Sequence, residues 1–139
     1  MVYLTEIDNS IEVVTSAAVN VDYVADWVDH TSTTFVPGST DGQIIAATTT
    51  TVVAAPAAST QRQVKGVFLK NVGTTAQTVK IQKDNGGVNR ELTPVITLAA
   101  QESVYYDEFN KVTVYDSAGR VKNKHTEITG YSGRSQGFY

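Results

Sequence analysis

Apolar and polar residues alternate along much of this chain with the period of two that is typical of β-strands. The alternation is clearest in residues 19–27, where one face would carry Val19, Val21, Tyr23, Ala25 and Trp27. A helical spacing also fits this segment in part, because Val21, Val24, Ala25 and Val28 fall three or four residues apart. We predict a strand, since β-branched residues dominate the segment and no helix cap precedes it.

Further strands are predicted wherever short apolar runs lie between turn-forming residues. Residues 2–15 predict a strand pair around Asp8, and residues 84–87 predict a tight hairpin turn, because Asn and Gly tolerate positive φ angles. Residues 62–72 are apolar on both parities, which predicts a central strand covered on both faces. The other predicted strands cover residues 43–55, 78–83, 91–98, 103–109 and 111–116, and residues 30–42 are predicted to form a loop.

Composition narrows the fold class. The chain has 20 Val, 19 Thr and 7 Ile residues but only 4 Leu, a bias that suits a pleated sheet. We therefore predict an all-β fold, an antiparallel β-sandwich of jelly-roll or immunoglobulin-like type with about eight to ten strands. The sandwich is expected to span residues 1–122, with a flexible N-terminal arm, and residues 123–139 are expected to form an extended C-terminal arm.

Charge and cysteine content limit the possible partners. The net charge of −3 argues against binding to nucleic acid, which normally needs a clustered excess of Lys and Arg. The absence of cysteine excludes disulfides and thiolate metal sites, so subunit association is the natural supplement to core packing. We also expect neither a secretory signal nor a membrane span, because the chain lacks a long apolar run.

Candidate catalytic and metal-binding groups are few. Asp22, Asp26, Asp29 and His30 lie close together in sequence, but on a strand Asp22 and Asp26 merely share a solvent face. The chain has two histidines, His30 and His125, and neither adjoins a nucleophile motif. We therefore predict no enzyme activity, no metal and no cofactor.

Aromatic residues supply the candidate partner-binding groups. Alternation places Tyr106 with Val104 on one face, so Tyr105 and Tyr115 are the better surface candidates. The isolated aromatic residues of the predicted C-terminal arm could dock on the same domain or on a neighbour. The predicted partner-binding residues are Tyr105, Tyr115, Tyr131, Phe138 and Tyr139.

Several segments resemble those of small all-β virion structural proteins of tailed bacteriophages. These are TTTVVAAPA at residues 49–57, TQRQVK at 60–65, ELTPVITLA at 91–99, ESVYY at 102–106 and DSAGR at 116–120. The likeness extends over roughly residues 11–122 and is to head and tail proteins alike.

The resemblance implies a place in the virion, with the protein made in the cytoplasm of a bacterial host. The expectation is a capsid decoration or cement protein that forms a homo-oligomer, a trimer, and binds the major capsid protein without nucleic acid or membrane. The alternative is a tail-tip or fibre-associated protein that binds a host-surface glycan or adapts a tail part. A phage hydrolase is the least supported of the three, because the sequence shows no catalytic set.

Deletion of residues 124–139 should leave the melting temperature of the sandwich unchanged but weaken attachment to the particle, because the predicted arm contributes contacts and no core. Occupancy on purified capsids measures the effect. Equal occupancy of the truncated and full-length proteins would remove the arm from the mechanism.

Overall fold

A computed structural model describes residues 1–122, which form two antiparallel β-sheets packed face to face. The predicted all-β antiparallel sandwich is confirmed, with eleven strands where about eight to ten were expected. No helix among the described residues is long and apolar enough to cross a membrane. In chain order the strands are β1 (Val2–Leu4), β2 (Asn9–Thr15), β3 (Val21–His30), β4 (Phe35–Ile44), β5 (Thr49–Val53), β6 (Gln61–Asn71), β7 (Gln77–Asn85), β8 (Val88–Glu91), β9 (Ile96–Leu98), β10 (Ser103–Asp107) and β11 (Val112–Tyr115).

The two sheets are each built around a central strand. The six-stranded sheet has the order β11-β10-β6-β3-β4, and β1 pairs with β6 on the same edge as β10. The five-stranded sheet has the order β5-β2-β7-β8, and β9 pairs with β7 on the same edge as β8. The central position predicted for residues 62–72 is therefore confirmed for β6.

The core lies between the sheets, and most strands contribute alternate residues to it. Its fully buried side chains are mostly valine, isoleucine and leucine, as a pleated two-layer core favours. The core residues are Leu4, Ile11, Val13, Val21, Ala25, Ile44, Val52, Val53, Val64, Val67, Leu69, Val79, Ile81, Leu98, Val104 and Tyr106.

A β-bulge in β6 explains the apolar residues on both parities of this strand. Asp26 pairs with Gly66 while the next residue of β3 pairs with Val64, so Lys65 is an extra residue in β6. The bulge lets Val64 and Val67 both enter the core. The prediction that β6 is covered on both faces was wrong, because the second sheet covers only one of them and Phe68 lies on the other.

Residues 30–42 do not form the predicted loop. His30 ends β3, a short turn closed by a hydrogen bond from the Thr31 amide to the Thr34 carbonyl (3.1 Å) follows, and β4 begins at Phe35. Pro37 is tolerated inside β4 because this strand lies at the edge of the sheet, where a missing N–H breaks no ladder. The strand predicted at residues 43–55 is correspondingly divided between the end of β4 and β5.

The N-terminal segment is part of the sheet, and the prediction of a flexible N-terminal arm was wrong. Val2, Tyr3 and Leu4 pair with β6, and the side chain of Leu4 is fully buried in the core. The amino group of Met1 also donates a hydrogen bond to Oδ1 of Asn110 (2.9 Å). The predicted C-terminal arm, residues 123–139, lies outside the described residues.

Buried side-chain amides fix the loops at both ends of the sandwich. Nδ2 of Asn71 donates to the carbonyls of Thr75 (2.8 Å) and Leu98 (2.9 Å). Oδ1 of Asn9 accepts hydrogen bonds from the amides of Thr5 (3.1 Å) and Glu6 (3.2 Å). These side chains satisfy buried backbone groups that no strand pairs.

Gln77 makes the largest of these networks. Its Oε1 accepts from the amides of Ser16 (3.2 Å), Ala17 (3.1 Å) and Thr78 (3.0 Å). Its Nε2 donates to the carbonyls of Ala17 (2.6 Å) and Val19 (3.1 Å). The connection between β2 and β3 is therefore held by one buried side chain of β7.

Gln77→Leu should lower the free energy of unfolding by about 2–4 kcal/mol, because an apolar side chain leaves several buried backbone groups without partners. Urea denaturation followed by circular dichroism measures the change. Gln61→Leu is the matched control, since Gln61 is exposed on β6, and it should change stability by less than about 0.5 kcal/mol. Equal effects of the two substitutions would contradict the role given to Gln77.

Candidate functional site

The outer faces of the two sheets differ in chemistry. The face of the five-stranded sheet is polar, with Gln82 donating to Glu12 (2.9 Å) and Lys80 paired with Glu91 (3.0 Å). Such a surface is usual for an antiparallel sheet that faces water. The outer face of the six-stranded sheet instead carries apolar and aromatic side chains, so it is the candidate functional site.

A row of residues crosses this outer face from strand to strand. Val24 of β3 pairs with Asp41 of β4 on one side and with Phe68 of β6 on the other. Phe68 in turn pairs with Tyr105 of β10, which pairs with Thr113 of β11. We call these five residues the central row. Its three middle members form a continuous apolar stripe, and Val24 is 42% exposed.

Two flanking rows place charges and a second tyrosine beside the apolar stripe. One contains Gln43, Asp22, Lys70, Ser103 and Tyr115, and the other contains Ser39, Asp26, Gly66 and Asp107. Tyr115 is the diagonal neighbour of Tyr105, so the structure brings these two predicted residues to the same face. The other three predicted residues, Tyr131, Phe138 and Tyr139, lie outside the described residues.

Gly66 determines how the ring of Tyr105 lies on the sheet. A Cβ atom at residue 66 would lie 2.6 Å from the Tyr105 hydroxyl oxygen and 2.9 Å from Cε1, closer than real contacts allow. The ring therefore lies across the glycine and covers its backbone. This cross-strand pairing of an aromatic residue with a glycine is a known way to stabilise a sheet. Because residue 66 has no side chain, the ring of Tyr105 has room to lie flat against the sheet.

Carboxylates surround the tyrosine ring. Burial raises the pKa of the Tyr105 phenol above its ordinary value, and the negative charges of Asp107, Asp26 and Glu108 raise it further. Each of these effects opposes the formation of a phenolate. At neutral pH the face therefore presents a neutral hydroxyl donor within an acidic margin.

The acidic residues of β3 do not converge on one site. Asp22 and Asp26 lie on the outer face, whereas Asp29 lies on the inner face in a bidentate pair with Arg62 (2.7 and 2.8 Å). The hydrogen bond from Arg62 lowers the pKa of Asp29.

His30 packs edge-on against Phe35, with ring centroids 4.7 Å apart. Within residues 1–122, no group of three or more His, Cys, Asp or Glu side chains is arranged to hold a metal ion.

Of the central row, sequence reasoning identified only Tyr105, and it missed Val24 and Phe68 of the apolar stripe as well as Gly66 beneath the tyrosine ring. The available signal was Val24, an apolar residue that lies between Asp22 and Asp26 on one parity of its strand. Phe68 lies on the opposite parity from Val67 and Leu69, a pattern that by itself predicts burial on both faces. Gly66 gives no signal by itself, since its role depends on a ring from another strand.

Comparison with protein-family models, with curated proteins and with solved structures gives no match for this chain. Its function is therefore inferred from its own residues.

Titration of the tyrosines should show two phenols that ionise late, Tyr105 and Tyr106, because burial raises the pKa of both above the ordinary value of 10.0. A raised pKa in the folded state means that the unfolded chain loses these protons first. The free energy of unfolding should therefore fall as the pH rises above 10, towards and through the raised folded values.

Ultraviolet absorbance of the phenolate measures this titration. Tyr105→Phe should remove one late phase and Tyr106→Phe the other, while the remaining phases stay in place. An unchanged late phase in Tyr105→Phe would contradict the environment described for this ring.

Proposed function

We propose that this protein is a virion structural protein of a tailed bacteriophage, a capsid decoration or cement protein that binds the outer surface of the capsid. The segments that resemble such proteins support the proposal, and three of them lie wholly or partly in β6, β10 and the turn after β11. In this proposal the protein acts in the virion by adhesion and catalyses no reaction.

The apolar stripe of the central row is the observation that carries the proposal. Val24, Phe68 and Tyr105 lie side by side on this sheet face, between two rows of mostly polar and charged residues. Burial of such residues at the centre of an interface supplies much of the binding free energy, about 2 kcal/mol or more for a hot-spot residue. The surrounding carboxylates would then form the polar rim that interfaces typically have.

The rigidity of this face suits a protein that binds and stabilises a capsid surface. Each member of the stripe lies on a strand that is paired on both sides, and Tyr105 is fixed against Gly66. Little conformational entropy would be lost when such a surface binds, because its side chains are already ordered. We propose the major capsid protein as the partner and a homotrimer as the assembled form.

Val24→Gln should reduce occupancy on capsids by about tenfold, because a polar amide would have to be buried at the centre of the interface. Val88→Gln is the matched control. Val88 also lies on a strand and is 48% exposed, but it belongs to the other sheet. Binding of each purified protein to capsids that lack it, measured by sedimentation, tests the difference.

Equal occupancy of the two variants, with melting temperatures near that of the unchanged protein, would exclude the central row as the capsid contact. Sedimentation equilibrium gives the mass of the free protein and tests the trimer separately.

A second candidate is a tail-tip or fibre-associated protein that binds a host-surface glycan. The observation that favours it is the flat ring of Tyr105, with the carboxylates of Asp26 and Asp107 nearby. Sugars stack on aromatic rings, and their hydroxyl groups donate hydrogen bonds to carboxylates. Two measurements separate the candidates. A copy number that scales with the capsid subunits favours the decoration protein, whereas binding of the isolated protein to host cells, lost in Tyr105→Ala, favours the tail protein.

A further inference from the structure

The outer edge of β4 is the longest strand edge of the sandwich. Residues Phe35–Ile44 pair with β3 along their whole length, and within residues 1–122 no strand pairs with the other side of β4. The other edge strands of the described chain have five residues (β5), four residues (β8 and β11) or three residues (β1 and β9), whereas β4 has ten. An edge of this length is a template for another strand unless the chain protects it.

The phase of the hairpin shows which backbone groups point outward. Thr31 and Thr34 form a hydrogen-bonded pair, and bonded and non-bonded pairs alternate along an antiparallel ladder. The register continues without a bulge, so the backbone groups of Ser39, Asp41 and Gln43 point away from β3. The backbone of Pro37 also points away from β3, but proline has no N–H to offer another strand. Pro37 therefore protects only the part of the edge near the start of β4.

The side chains along this edge differ between the two faces. On the outer face Asp41 is the diagonal neighbour of Asp22, whose carboxylate accepts a hydrogen bond from Gln43 (2.7 Å). A shallow depression at the edge is lined by Asp22, Tyr23, Val24, Asp41 and Gln43. On the inner face two glycines leave room for aromatic rings. A Cβ atom at Gly38 would lie 2.8 Å from the Trp27 ring nitrogen, and one at Gly42 would lie 2.7 Å from the Tyr23 hydroxyl oxygen.

We propose that the edge of β4 from Gly38 to Ile44 binds an extended segment of another protein as an added strand. The bound segment has basic residues on one parity and apolar residues on the other. Its basic side chains would lie opposite Asp41, and its apolar side chains would pass over the glycines and contact Trp27 and Tyr23. The backbone would supply affinity and the alternate side chains specificity.

Charge argues for another protein over a second copy of this chain. An antiparallel pairing of two β4 strands would bring the acidic residues Asp22 and Asp41 of both copies onto one face, and like charges opposite each other are destabilising. A basic segment removes this repulsion. The inference does not depend on the proposed function, because it uses the β4 edge and not the apolar stripe.

The probe is a capped heptapeptide of alternating valine and lysine, titrated into the full chain. Trp27 is the chain's one tryptophan, so its fluorescence emission reports binding at this edge directly. Hydrogen exchange followed by NMR should show the amides of Ser39, Asp41 and Gln43 exchanging about tenfold more slowly when the peptide is bound. The amides of Thr40 and Gly42 are already bonded to β3 and serve as internal controls.

Two matched controls separate backbone pairing from charge attraction. A fully N-methylated peptide keeps the lysine charges and the carbonyl acceptors, but the methyl groups on its backbone nitrogens would point at β4 and sterically prevent strand pairing. It should therefore leave the three amides unprotected. Asp41→Lys should lose binding of the lysine peptide and gain binding of the corresponding glutamate peptide. Asp41 is exposed, so this substitution should leave the melting temperature unchanged.

Three results would overturn the proposal. One is the absence of any change in Trp27 emission and in exchange at a large excess of peptide. Another is equal protection by the N-methylated peptide. The third is protection of the same amides that increases with protein concentration alone, which would assign the edge to a second copy of this chain.

Discussion

The antiparallel register along β6 is the constraint on which the rest of this structure depends. Side chains of a strand alternate between two faces, so a shift of one residue would exchange the core and the surface. In the observed register Val67 and Leu69 enter the core while Gly66 and Phe68 face outward. The bulge at Lys65 then returns Val64 to the core at the far end of the strand. The apolar stripe of the central row exists because β3, β6 and β10 keep this register.

The second requirement is that the loops stay fixed without disulfides. Asn71 and Gln77 fix the loops from inside the sandwich. The side chain of each donates a hydrogen bond to a backbone carbonyl that is distant in sequence, that of Leu98 for Asn71 and that of Ala17 for Gln77. Glu102 has a similar role near the end of the described chain, since its carboxylate accepts from the Ala99 amide (2.9 Å) and from Lys122 (2.9 Å). A sandwich fixed in this way presents surfaces of constant shape, as the proposed binding to a capsid would need.

The two surfaces proposed for binding meet at Asp41. This residue ends the central row, and its backbone lies on the open edge of β4. A partner that added a strand at the edge could therefore extend across the face to Val24 and Tyr105. The carboxylates of Asp41 and of its diagonal neighbour Asp22 favour partner groups that are basic or that donate hydrogen bonds.

The sequence by itself determined the fold class, the tight turn at Gly86 and Gly87, and the surface parity of Tyr105, because each depends on alternation or on a local φ angle. Only the tertiary structure decided that Pro37 and Gly38 lie in an edge strand, that the N-terminal residues pair with β6, and that Gly66 lies beneath Tyr105. The reason is physical. An edge strand, a bulge and a glycine under a ring are defined by neighbours from distant parts of the chain, and local residue pattern carries no record of which strands become neighbours.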